Sequence, residues 1–329
     1  MKVYHAMEWE SLIEGGVKVS ARQQRKALEK AGVPYSTTRD GDADVLHLNF
    51  PGPVSLANLL AAKARGRKVV VHCHSIGENI EGTYRFSRAL APAIEWYFTR
   101  VYASADRVVA VNEFMADRLA AHGVTENVTV VSNGIDGEAL DGWESRTYAD
   151  APDDSSDPVV VNLAQVYEIK GVSDFVAVGE RLPGTDFFWF GPQHDYLMPR
   201  GTKRTLASAP ATVRFPGFVD DKRDAFGFGD VFFFPTHRDN QPLSILEAAY
   251  CGKAIVTRDI PAFDGWLEHG VNCLKGDSVD EFVRHVETLR DDPDLREELG
   301  ENAQAMAAAH TLDVVGEELR TVYEDVLDE

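Results

Sequence analysis

The sequence predicts an α/β protein: two Rossmann-like, doubly wound parallel domains facing an interdomain cleft. Three observations predict it. Apolar, β-branched or aromatic runs alternate with helical stretches along most of the chain. The alternation breaks at a polar, turn-rich passage, "GEALDGWESRTYADAPDDSSDP", and then restarts. At 329 residues and 44% hydrophobic content, the chain is long for one core and comfortable for two.

Taken in order, the first half reads as the strand "MKVYHAM", a helix over about 17–31, "DVLHLNF", a helix near 55–64, "KVVVHCHS", a long helical region from 83, and "RVVAVN". The second half offers the strands "VVVNLA", "DFFWFG", "TVRFPG", "VFFFPT" and "KAIVT", separated by helices, and residues 278–328 are mostly amphipathic helix. The expected domains are therefore 1–136 and 158–329, joined by a linker over 137–157, with the last helix a candidate to pack back on the N-terminal domain. Two such domains leave a cleft, where small ligands favour binding.

Composition excludes several classes. No stretch approaches twenty uninterrupted apolar residues, and "MKVYHAMEWE" lacks the apolar core of a signal peptide, so the expected location is cytoplasmic. Cys73, Cys251 and Cys273 are scattered, odd in number and without metal-ligand spacing, which reads as core thiols. Residues 1–135 carry 16 Lys and Arg against 14 Asp and Glu, whereas the remainder carries 17 against 39. Such an acidic balance argues against a nucleic-acid partner and suggests a halophilic, high-salt cytoplasm, or else ordinary selection for solubility.

The stretch "RDNQPLSILEAAYCGKAIV", 238–256, carries the sharpest chemistry. Pro242 suits the first turn of a helix and Gly252 suits its exit, so a helix over about 242–251 is expected. Glu247 is its only charge, and apolar strands flank it on both sides, as in a βαβ unit of a sheet covered on both faces. An unpaired carboxylate there would be costly unless donors met it, and a ribose diol supplies two. Gly15 and Gly16 follow the first strand and precede a helix. They fit either a close approach to an anion or a plain turn.

With these motifs in place, the chain resembles the retaining, nucleotide-sugar-dependent glycosyltransferases of family four, which have the GT-B fold. The resemblance rests on "NLAQVYEIKGVSDFV" (162–176), "FPGFVDD" (215–221), "PTHRDNQPLSILEAAYCGKAIV" (235–256), "VVVHCHS" (69–75) and "VVSNGID" (130–136). Within the family, "HCHSIGENIEGTYRFS" and "QVYEIKGVSDF" look most like the enzymes that glycosylate diacylglycerol-type lipids. The resemblance implies that Asp239, one methylene shorter than the family's glutamate, touches the transferred sugar, and that Glu247 holds the donor ribose. Capping of the following helix by Asp239 or Asn240 is the competing local reading. Where the family has an Arg and a Lys for the diphosphate, this chain has Gln165 and Lys170, so Lys170 and the helix-start amides would supply the electrostatics. Asn240, Leu243 and Gly16 complete the implied donor contacts, and Gly217 and Val219 match the loop that receives the nucleobase.

His74 ends the strand "KVVVHCHS", the end at which doubly wound sheets carry their sites, and by resemblance contacts the transferred sugar. His72 points to the same side but deeper, as a hydrogen-bonded core histidine would. Glu78 follows on the acceptor side, able to orient the attacking hydroxyl. Residues 84–102 mix Arg85, Arg88 and Arg100 with Phe86, Trp96, Tyr97, Phe98 and Tyr102, which suits either a bilayer interface or an ordinary buried helix face. The string "DGDAD" (40–44) is read as a polar turn, and no metal is expected. The implied reaction moves a sugar from a UDP- or GDP-sugar to a hydroxyl, with a glycerolipid as the expected acceptor and peripheral attachment to the inner membrane face. A polyprenyl-linked or polysaccharide acceptor, and a catalytically silent nucleotide-sugar-binding subunit, stand as alternatives.

Overall fold

The computed structural model describes residues 1–12, 15–39, 41–76, 87–149, 158–193 and 198–329, without the side chains of 87–89. Along the chain come β1 (Val3–Ala6), α1 (Gly16–Lys30), β2 (Tyr35–Ser36), β3 (Val45–Leu48), α2 (Pro53–Lys63), β4 (Lys68–Cys73), α3 (Ser87–Ala103), β5 (Arg107–Ala110), α4 (Glu113–Ala121) and β6 (Val128–Val130). Then follow β7 (Val160–Leu163), α5 (Val172–Arg181), β8 (Phe187–Phe190), α6 (Arg200–Ala207), β9 (Val213–Gly217), α7 (Lys222–Phe228), β10 (Val231–Phe234), α8 (Leu243–Tyr250) and β11 (Ala254–Arg258). The chain ends with β12 (Leu274–Gly276), α9 (Val279–Asp291), α10 (Pro293–Ala307) and α11 (Leu312–Asp328). They form two compact units, Met1–Asp136 with His310–Glu329, and Gly137–Ala309.

The first unit holds a parallel sheet in the order β2-β1-β3-β4-β5-β6, so the winding reverses between β1 and β3. Alternation along the strands sorts its side chains onto two faces. Val69, Val71 and Cys73 join Phe98, Val101 and Tyr102 in one cluster, whereas Val3, Val45, Val70 and Val109 pack with Leu312, Val315, Leu319 and Val322 of α11 in the other. The C-terminal helix therefore belongs to this unit, lying against α1. On that second face the apolar layer gives way, towards the strand ends, to buried His5, His47 and His72. The matching part of α1 is polar too: Ser20, Gln23 and Gln24 are buried there, before Ala27 and Leu28.

The second unit repeats the design in the order β12-β11-β10-β7-β8-β9, reversing between β7 and β10. Every residue of β7, β8 and β10 is buried, as expected of parallel strands covered on both faces. Residues 137–149, read from composition as part of a linker, instead pack on this unit. The short helix Trp143–Ser145 sits so close to α7 that a Cβ on Gly227 would lie 2.2 Å from the Arg146 carbonyl, and Lys253 Nζ stands 3.9 Å from the centre of the Trp143 ring. Polar composition there reflects a surface strap rather than a free connection. The three cysteines are buried and free.

Candidate active site

In the second unit, the loops leaving β7 and β10 meet at the place where the strand order reverses, the usual location for ligands of doubly wound sheets. Two glycines shape the first loop. At Gly171 (φ 81°) a Cβ would lie 2.1 Å from the Pro235 carbonyl oxygen, and at Gly191 (φ 154°) it would lie 1.8 Å from that of Ala164, next to Gln165. Only glycine lets these backbones approach so closely. The Thr236 hydroxyl and the His237 amide donate to the Ile169 carbonyl at 3.1 and 2.8 Å, tying the two loops together. Lys170 and Asp239 are thus brought face to face, and Lys170 Nζ donates to Asp239 Oδ2. Asp239 Oδ1 accepts from the Asn240 amide at 3.0 Å.

Helix α8 starts after Pro242, a residue that offers no side-chain cap hydrogen bond. Leu243 is buried at its first turn, where unpaired backbone amides offer positive potential. Glu247 lies in the following turn, its side chain 5% exposed. It is buried as expected but is not unpartnered, which corrects the sequence-based argument. Lys222 Nζ, at the start of α7, donates to its two oxygens at 2.6 and 2.8 Å. Burial of Glu247 is therefore satisfied within the protein, and does not by itself demand a ribose. Lys222 is 42% exposed, so its ammonium borders solvent and can be exchanged for other donors. Gly217 closes β9 at φ 89°, its carbonyl accepting from the Gly191 amide at 2.7 Å, with the exposed Phe218 and half-buried Val219 following.

The first unit presents a different chemistry. His74 follows β4, stacked on His72 at 4.4 Å, with its Nε2 3.0 Å from Asn49 Oδ1. Asn49, which follows β3, also lies 3.1 Å from His5 Nε2, and His5 Nε2 is 3.0 Å from Gln24 Oε1. Gln24 in turn reaches His72 Nδ1 at 3.1 Å. Arg25 closes the far end, its Nε donating to His5 Nδ1 at 3.2 Å while its two terminal nitrogens hold Glu10 at 2.9 and 2.7 Å. His47 Nδ1 meets the Tyr323 hydroxyl of α11 at 2.5 Å. Burial above all, and then the charge on Arg25, pushes His5 down to about 4, and burial, then His5, pushes His74 down to about 3. Burial likewise holds His47 and His72 well below the usual histidine range. All four imidazoles are neutral at pH 7.

Gly15 takes a left-handed conformation (φ 100°) and Gly16 opens α1, where an added Cβ would meet nothing within 4 Å. Glu78 lies outside the described residues, as do Arg85 and Phe86. Of the remaining aromatics of α3, Phe98 and Tyr102 are core, while Trp96 is 63% exposed and carries the Arg100 guanidinium 5.5 Å from its ring centre. Sequence reading missed Lys222, Asn49 and the histidine layer. The layer had a signal in the repeated V-x-H of "VYH", "VLH" and "VVH" (3–5, 45–47 and 70–72), one histidine at the same depth of three strands.

Two Rossmann-like units, with an ion-paired lysine and aspartate and a buried glutamate at the switch point of the second, have the organisation of GT-B glycosyltransferases. Residues 35–139 match the family described as Glycosyltransferase Family 4, and residues 152–306 match Glycosyl transferases group 1. The chain belongs to the family-four glycosyltransferases, and it is a glycosyltransferase. It is 27% identical, over 99% of both chains, to a processive diacylglycerol alpha-glucosyltransferase of Acholeplasma laidlawii. An alpha-galactosylglucosyldiacylglycerol synthase of Streptococcus pneumoniae is 26% identical over 91% of this chain and 84% of its own. Among solved structures, Anabaena HepE in complex with UDP-glucose shares the fold with a TM-score of 0.77, at 17% identity, over 99% of this chain and all of that one.

Proposed function

We propose that the protein transfers a sugar from a nucleoside-diphosphate sugar, UDP- or GDP-linked, to a hydroxyl of a membrane glycerolipid, retaining the anomeric configuration. Observations that support the reading are the Lys170–Asp239 pair at the switch point of the second unit and the likeness, over nearly the whole length, to an enzyme named for glucosylating diacylglycerol. The bond from the anomeric carbon to the diphosphate breaks, the acceptor oxygen forms its replacement, and the hydroxyl proton leaves with the diphosphate. Lys170 and the first amides of α8 stabilise the charge that develops on the leaving group, taking the part that an arginine at the Gln165 position would share. Gln165 contributes neutral hydrogen bonds. Asp239, released from Lys170 as the diphosphate takes over the ammonium, contacts the sugar, a contact the family resemblance also implies for His74. Asn240 and Leu243 flank that contact.

The ribose hydroxyls donate to Glu247, replacing Lys222, and the base lies beside Gly217 and Val219. Gly16 lets backbone approach the donor, and Glu78 orients the acceptor hydroxyl. No helix among the described residues is long and apolar enough to cross a membrane. Contact with the cytoplasmic leaflet comes instead from the exposed Leu90, Trp96 and Arg100 of α3, a mixture of apolar, interfacial and cationic groups suited to anionic lipid. The net charge of −20 fits a cytoplasm of high salt.

Incubation of the purified chain with a panel of nucleotide sugars and extracted membrane lipids, followed by mass spectrometry, tests this. One sugar added to a glycerolipid is the expected outcome. Addition to a polyprenyl phosphate alone would redirect the acceptor, and donor binding without any transfer would leave a silent nucleotide-sugar-binding subunit.

A further inference from the structure

We propose that Asn49 is a positioning residue that fixes the tautomer of His74: its amide nitrogen donates to His74 Nε2, so that the imidazole proton sits on Nδ1. The Arg25 guanidinium always carries its hydrogens. Its Nε–H donates to His5 Nδ1, so that nitrogen holds a lone pair, and neutral His5 must carry its proton on Nε2. That Nε2–H has Gln24 Oε1 at 3.0 Å as acceptor, which turns the Gln24 amide nitrogen towards His72 Nδ1 at 3.1 Å. His72 therefore keeps its hydrogen on Nε2.

Asn49 sits between two imidazoles, one end of its amide 3.1 Å from His5 Nε2 and the other 3.0 Å from His74 Nε2. With its oxygen towards His74, its nitrogen would face the Nε2–H of His5, donor against donor. Asn49 is 1% exposed, so water cannot relieve that clash. Turning the amide over exchanges its two ends at no change in shape. The oxygen then accepts from His5, and the nitrogen donates to His74 Nε2. In this arrangement the His5 Nε2–H faces acceptor oxygens, the Asn49 amide nitrogen faces the lone pair of His74 Nε2, and no donor confronts another between His5, Asn49 and His74. His74 and the His72 ring stacked on it hold opposite tautomers.

For catalysis the consequence rests on the reading of His74 as a sugar contact; the tautomer itself does not. With the Nε2 lone pair taken by Asn49, His74 serves the sugar as a hydrogen-bond donor through Nδ1–H and not as a base through Nε2. The test is a two-bond proton–nitrogen correlation spectrum of the full chain labelled with 15N-histidine, the His74 ring assigned by its loss in His74→Gln. A pyrrole-type Nδ1 and a pyridine-type Nε2 on His74 are expected; the reverse pattern, or an imidazolium at pH 7, overturns the proposal. In Asn49→Asp the partner can only accept, so the His74 proton moves to Nε2 and kcat falls about tenfold or more with donor KM retained. Should the tautomer move while turnover holds, Asn49 keeps its assignment and His74 loses its role in transfer. Should Asn49→Asp fail to fold, the wild-type spectrum alone decides.

Discussion

Lys170 and Asp239 neutralise one another across a switch point, and Lys222 does the same for Glu247. These pairs separate charge needed for chemistry from charge needed for folding. Lys170→Met removes the only cation proposed to meet the diphosphate; turnover should fall by about 100- to 1,000-fold with the melting temperature nearly unchanged, measured by steady-state rates beside calorimetry. Lys222→Met leaves a buried carboxylate without its donor, a loss of about 1–3 kcal/mol once the lysine's own exposure to solvent is discounted. Saturating donor nucleotide should then raise the melting temperature more in this variant than in the wild type. An equal rise in both would mean that the nucleoside does not reach Glu247. At this scale the sequence was partly legible. Glu247 announced itself as a lone charge in an apolar helix, and Asp239 and Lys170 through motif spacing. Lys222 did not, because its partner is 25 positions away and the pairing exists only after α7 and α8 are packed.

Helices and strands are placed by periodicity where they are long and buried. The strands β4, β7, β8 and β10 fall within their expected segments, β11 runs one residue past its own to Arg258, and α8 runs between the expected proline and glycine. The short edges β2 and β12, of two and three residues, carry no pattern that distinguishes them from loop. Helix α4 went unread although Asn112 caps it, its side chain accepting from the Met115 amide. The loop before α5 depends on a left-handed Gly171 pressed against Pro235, so Gly171→Ala should lower the melting temperature markedly and abolish turnover together, unlike Lys170→Met. The histidine layer between the first sheet and α1 makes a pH prediction. His5, His47 and His72 are depressed in the folded state, His5 to about 4, so above pH 6.5 both states are neutral and the layer costs nothing extra. As pH falls from 6.5 towards 4 the unfolded chain binds protons first, and stability should drop by about 1.4 kcal/mol per pH unit for each histidine. Urea midpoints measured between pH 7 and 5 test this. No decline above pH 5, where carboxylates are still ionised, would contradict it.

Two units of similar build share one chain, and the last helix returns to the first of them. That return was legible only as a possibility, since the amphipathic α11 shows a buried face but not what covers it; Tyr323, bonded to His47, shows the partner. The polar text of 137–149 misled for the opposite reason, because a strap on a surface and a linker share one composition. The acidic surface is a property of the whole molecule. At a net charge of −20 its self-repulsion is screened as the Debye length shrinks from about 10 Å at 0.1 M to about 3 Å at 1 M salt, so the melting temperature should rise across that range. A flat or falling curve in sodium chloride would remove the high-salt reading. The central claim is that the second unit takes the nucleoside of a sugar donor through Glu247. Calorimetric titration of the full chain with UDP- and GDP-sugars, wild type beside Glu247→Ala, tests it most directly. Saturable binding of one donor is expected, weakened about 10- to 100-fold in the variant with its melting transition intact; equal affinity in the two proteins would rule out the ribose contact.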